Sequence, residues 1–134
     1  MISSPGIIIR YEELKILLYN RGFRSCSGIL MPDREFSDEE ILQAMNSLAL
    51  RGMIEAREDY FVLTPETAAL IDIIGNPDSS YPFTDPESGQ VYYCYLTRDA
   101  VVVTQMDWNR KETLRINRFT PEEFSSWREE LESG

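Results

Sequence analysis

The sequence contains no histidine. That removes the commonest general base and the commonest zinc ligand, and with them every catalytic class built on Ser-His or Cys-His pairs. Cysteine is nearly as scarce. Cys26 stands in a loop-like stretch and Cys94 in an apolar run, without the close spacing of a zinc site or a disulfide framework, so both are expected to be free thiols of a reducing cytosol. There is no glycine-rich phosphate loop, because Gly22, Gly28, Gly52, Gly75 and Gly89 stand singly where turns alone explain them. Long hydrophobic runs are missing too. The longest, Val91 to Leu96, is half tyrosine, whereas a membrane-spanning helix needs about 20 apolar residues. Met1 to Gly6 carries no basic segment, and Ile7 to Ile9 is too short for a signal peptide, which points to a cytoplasmic protein. Finally, basic residues are outnumbered, 13 against 23, for a net charge of -10 shared evenly by residues 1–76 and 77–134. Such a field repels phosphate backbones and anionic lipid, so the expected partner is another protein, with no nucleic acid and no membrane.

What is present suffices for one compact unit: 134 residues, 43% of them apolar and 11% aromatic. Ile7 to Arg10 can form a short strand before a helix from Tyr11 to Arg21, where Leu14, Leu17 and Leu18 share a face and Gly22 supplies a left-handed stop. Residues 23–35 are punctuated by Ser, Gly and Pro and are expected to be a loop. Ser37 with Glu40 forms a capping box, and Phe36 with Ile41 a hydrophobic staple, so a helix is predicted over 37–51. Its stripe is Ile41, Met45 and Leu48, widened by Leu42 and Ala49. Met53 to Arg57 and Tyr60 to Leu63 predict a hairpin around Glu58-Asp59. Thr64 as cap and Pro65 at the first helical position then start a third helix that buries Ala69, Leu70, Ile73 and Ile74.

Residues 77–89, rich in Pro, Ser and Asp, are predicted to be a linker. After them Val91 to Thr97, Ala100 to Met106 and Thr113 to Arg118 read as a three-stranded meander. A last helix begins at the capping box Thr120/Glu123, with the staple Phe119/Phe124 and a buried stripe of Phe124, Trp127 and Leu131.

Carboxylate pairs at 12–13, 38–40 and 122–123 fall in first turns of helices, where negative charge complements the dipole, and 58–59 is a hairpin tip. None of them indicates a buried general acid, so no enzyme, metal or cofactor is expected. The rival reading is a winged-helix transcription regulator, since a helix followed by a hairpin is a DNA-reading arrangement. Its charges disagree. Helix 37–51 presents Asp38, Glu39, Gln43 and Asn46, and the hairpin Glu55, Glu58 and Asp59 against Arg57, where a DNA reader needs Lys and Arg.

The runs Ser37-Asp38-Glu39-Glu40-Ile41, Leu48-Ala49-Leu50-Arg51-Gly52-Met53-Ile54, Phe61-Val62-Leu63-Thr64-Pro65-Glu66 and Ala69 to Pro77 occur in an order that resembles the N-terminal half of the EspG family of type VII secretion chaperones and related small proteins of Gram-positive secretion clusters. The resemblance implies a cytosolic, non-enzymatic protein that keeps a secreted helical substrate soluble. It carries over no site residue. Family proteins consist of two related halves and this chain has room for one, which a homodimer would supply.

The sequence thus predicts an α+β fold: a winged-helix-like subdomain (1–76), a linker (77–89), and a β-meander with a C-terminal helix (90–134). The predicted function is protein binding, as an adaptor or secretion chaperone. With Arg98-Asp99 as a two-residue turn, Tyr92, Cys94, Leu96, Val101 and Val103 share the face that receives the last helix. Tyr93, Tyr95 and Val102 lie on the other, beside Trp108. These four residues are the candidate partner-binding patch, and the alternative is that the same face packs on the winged-helix half as core.

Overall fold

The computed structural model describes residues 6–29, 35–107 and 111–133. Among them run β1 (Ile7–Arg10), α1 (Tyr11–Asn20), α2 (Asp38–Leu50), β2 (Ile54–Ala56), β3 (Phe61–Leu63), α3 (Pro65–Gly75), β4 (Ser79–Thr84), β5 (Val91–Leu96), β6 (Val101–Met106), β7 (Thr113–Phe119) and α4 (Pro121–Glu132). The fold is α+β. A five-stranded antiparallel sheet has the order β1-β7-β6-β5-β4, and β2 and β3 form a separate two-stranded sheet.

Two of the predicted helix starts form as written. Ser37 Oγ accepts from the Glu40 amide at 3.1 Å while Glu40 returns a carboxylate to the Ser37 amide at 3.0 Å. Thr120 and Glu123 do the same at 3.1 and 2.8 Å. Thr64 departs from expectation: Pro65 opens α3, but the Thr64 hydroxyl makes no cap and instead donates to the Met53 carbonyl at 3.2 Å. The same carbonyl also accepts from the Thr64 amide at 3.1 Å, so amide and hydroxyl together tie the end of β3 to the residue before β2. The buried stripe of α3 is also rotated, to Thr67, Leu70, Ile71 and Ile74, because the helix packs against α1 and the sheet together.

The predicted linker is corrected. Residues 79–84 form β4, an edge strand paired with β5 from Ser79↔Leu96 to Thr84↔Val91. Pro82 had argued for a linker, yet it is compatible with an edge. The Asp85 amide donates to the Gln90 carbonyl, which fixes the phase of the ladder; Pro82, an odd number of residues away, falls at a non-bonded pair whose amide position points outward. Asp85 then closes the β4–β5 turn, accepting from the Glu87 amide and the Ser88 hydroxyl at 2.9 Å each. The other edge is β1, so the first residues of the chain complete the sheet made by the last.

The sheet carries a core on each face. On one side α4 covers Cys94, Val101, Val103 and Phe119 with Phe124 and Trp127, and Trp127 stacks on Phe119 at 5.6 Å between centroids. On the other side Ile9, Leu14, Leu17, Leu48, Ile71 and Ile74 from β1 and helices α1–α3 pack over Tyr95, Val102 and Ile116. Thr97 and Ala100 pair as the two-residue turn requires. A buried carboxylate locks this layer: Glu13, 2% exposed, accepts from the Arg10 amide at 2.9 Å and from Arg51 Nη2 at 2.8 Å, while Arg51 Nη1 donates to the Ile8 carbonyl.

Candidate protein-docking groove

The predicted patch does not stand open. Tyr95 and Val102 are fully buried in the core shared with the helices, and Tyr93 is half-buried beside them. Of the two readings the sequence allowed, the core reading holds for these three residues. Two contacts explain the burial. The Tyr95 hydroxyl donates to the Ser27 carbonyl, and the backbone of Gly28 lies on the Tyr93 ring so closely that a Cβ there would come within 2.3 Å of it. The 23–29 loop is thus laid over the tyrosines, and Gly28 at φ +78° is the sequence signal for that close approach. Tyr93 and Tyr95 lie 5.2 Å apart between ring centroids. Trp108, the fourth candidate, lies outside the described residues.

An apolar surface opens elsewhere. The α2 stripe is wider than the core needs: Ala44 and Leu48 are fully buried, but Leu42 is 60% exposed and Ala49 is also exposed. Across from them the hairpin turns Ala56 and Phe61 to the same side as buried Ile54, because Ile54↔Leu63 and Ala56↔Phe61 are paired. Tyr60 at the tip is 63% exposed. Between α2, the hairpin and the end of α1 these side chains line a cleft of about 590 Å³, with Met45 at its base and Asn20, Asn46, Arg57 and Asp59 at its margins. The hairpin is held over it by Asn20, whose Nδ2 donates to the Phe61 carbonyl at 3.4 Å.

The rim is acidic. Helical spacing puts Asp38 and Glu39 on the same side of α2 as Leu42 and Asn46, and the hairpin tip adds Glu58 and Asp59, while Glu55 alternates to the hairpin's other face. The cation at this margin, Arg57, is already engaged by Glu55 at 3.2 Å. The groove therefore offers apolar contact inside and negative charge around it, which suits an apolar segment flanked by basic residues.

Burial pushes the Cys26 and Cys94 thiols up to about 11, so both are protonated and poor nucleophiles at neutral pH. Among the described residues no group of three or more His, Cys, Asp or Glu is placed to hold a metal, and no helix is long and apolar enough to cross a membrane. Comparison with known proteins finds no family model that matches the chain and no curated protein of significant similarity. The groove residues Leu42, Ala49 and Tyr60 were not singled out as a site by the sequence. Their signal was a stripe broader than one buried face requires.

Proposed function

We propose that this protein is a non-enzymatic adaptor or chaperone that binds another protein through the groove between α2 and the β2–β3 hairpin. The observation that carries the reading is the exposed apolar lining of Leu42, Ala49 and Tyr60 inside an acidic rim, since monomers rarely leave such a surface without a partner. The occupant is a segment with apolar anchors and flanking lysines or arginines. The resemblance to secretion chaperones agrees with a role in keeping such a segment soluble, in the cytoplasm, without catalysis.

The winged-helix-like order of α2, hairpin and α3 supports a second reading, a transcription regulator. The charges weigh against it, because α2 and the hairpin would press carboxylates onto phosphates. Both readings meet in one experiment: a photo-crosslinking amino acid at Tyr60, with Ser125 on the exposed face of α4 as control, in the native cell. The adaptor reading expects a protein crosslink from Tyr60 that Leu42→Glu abolishes and high salt weakens. A crosslink to DNA, or equal capture from Ser125, would overturn it.

A further inference from the structure

Independently of that groove, the loop laid over the tyrosines is fastened firmly at its ends and lightly between them. Phe23 closes the first end: its amide donates to the Leu18 carbonyl at 2.8 Å, and its ring lies so close to the backbone of Gly75 that a Cβ there would come within 2.3 Å. Ile29, 9% exposed, closes the other end in the core shared with the helices. Among the described residues, 24–29 make no hydrogen bond from main chain to main chain. Arg24, Ser25, Ser27 and Gly28 are exposed, and between the two anchors only Cys26 is partly buried, packed against the core. The span thus rests on one polar latch, the Tyr95 hydroxyl on the Ser27 carbonyl, and on the seat of Gly28 against the Tyr93 ring.

Such a span belongs to the low-stability end of a fold. Segments with solvent-exposed backbone and few buried apolar contacts open locally, at a fraction of the free energy of global unfolding. Releasing residues 24–28 breaks the Tyr95 latch and uncovers one thiol, and the backbone freedom it restores offsets part of that loss. The space beneath is not filled by the loop: a cavity of about 240 Å³ lies beside Gly28, with Tyr93, Met106 and Leu114 in its lining. Neither strand below has to move, because the pairing from Tyr93↔Thr104 to Leu96↔Val101 is made by the main chains of β5 and β6 themselves.

We propose that residues 24–28 are a strap that lifts off the sheet as a unit while the rest of the fold stays closed, uncovering the Tyr93 ring and the Tyr95 hydroxyl. The two cysteines report on it from opposite faces of the sheet, Cys26 on the strap's inner side and Cys94 beneath α4. The test alkylates the full chain with iodoacetamide at increasing urea below the unfolding transition, and reads each cysteine by peptide mass spectrometry. In the unaltered protein Cys26 should react faster than Cys94, at a rate that stays flat with urea. Tyr95→Phe, which removes the latch and keeps the ring, should raise the Cys26 rate about fivefold. Thr120→Ala, which weakens the start of α4 on the other face, should leave the Cys26 rate unchanged. A Cys26 rate that climbs with urea in parallel with that of Cys94, or that rises in Thr120→Ala, would overturn the proposal, because the thiol would then be reached only when the whole fold opens. So would a Cys26 rate that Tyr95→Phe leaves unchanged, since the reagent would then reach the thiol without any movement of the strap.

Discussion

Removing the Arg51 guanidinium should loosen the helical layer, because this side chain reaches both the buried Glu13 carboxylate and the edge strand β1. Glu13 is 3% exposed at its side chain and Arg51 35%, so the pair lies between a buried and a surface ion pair. Deleting one partner of a fully buried pair costs about 3–5 kcal/mol, and exposed pairs contribute about 0–1. Glu13 would keep the Arg10 amide at 2.9 Å and the Arg10 guanidinium at 3.7 Å, which limits the loss. The Ile8 carbonyl, at the outward edge of β1, would lose its donor but could be reached by water. Arg51→Met, which keeps the aliphatic stem, is therefore expected to destabilise by about 2 kcal/mol. For a chain of this size that is roughly 8 °C in Tm. Urea melts of Arg51→Met, Glu13→Gln and the double variant would give the coupling by a double-mutant cycle. A coupling below about 0.5 kcal/mol, within the scatter of additive sites, would mean that Glu13 is held by its capping role alone and that the reasoning from burial is wrong.

Further outcomes follow from the same contacts. Tyr93→Asp with Tyr95→Asp should unfold the protein by circular dichroism, since Tyr95 is fully buried and an unpaired carboxylate there has no compensating partner; a folded double variant would show the face to be accessible. Gly28→Ala should cost at least about 2 kcal/mol in a thermal melt through its positive φ and its clash with the Tyr93 ring. Ser37→Ala and Thr120→Ala should each cost about 1 kcal/mol, and Thr64→Val should show no loss of capping at α3. The backbone hydrogen bond from Glu87, with help from Ser88, holds the Asp85 carboxyl below the usual carboxylate range. Its contribution is present above about pH 4 and lost as the pH falls through its lowered native value, so the stability gap to Asp85→Asn should shrink over that acidic window. A gap constant with pH would rule out the Asp85 contacts as its source.

The sequence by itself determined the elements whose signals are local. Capping boxes at Ser37 and Thr120 act within one turn, the period of Phe124, Trp127 and Leu131 fixes the inner face of α4, and the Arg98-Asp99 turn sets which residues of β5 and β6 share a side. Those features need only near neighbours. Tertiary structure alone decided the rest. β4 became a strand because β5 offered an open edge and the register put the missing amide of Pro82 outward, a condition no window around Pro82 contains. Tyr93 and Tyr95 became core because residues 23–29, far away in sequence, lie across them, with Gly28 permitting the contact. Conversely Leu42 and Ala49, on a stripe that periodicity assigns to the interior, were left at the surface. Alternation and helical spacing tell which residues point the same way, but what covers a face depends on long-range packing.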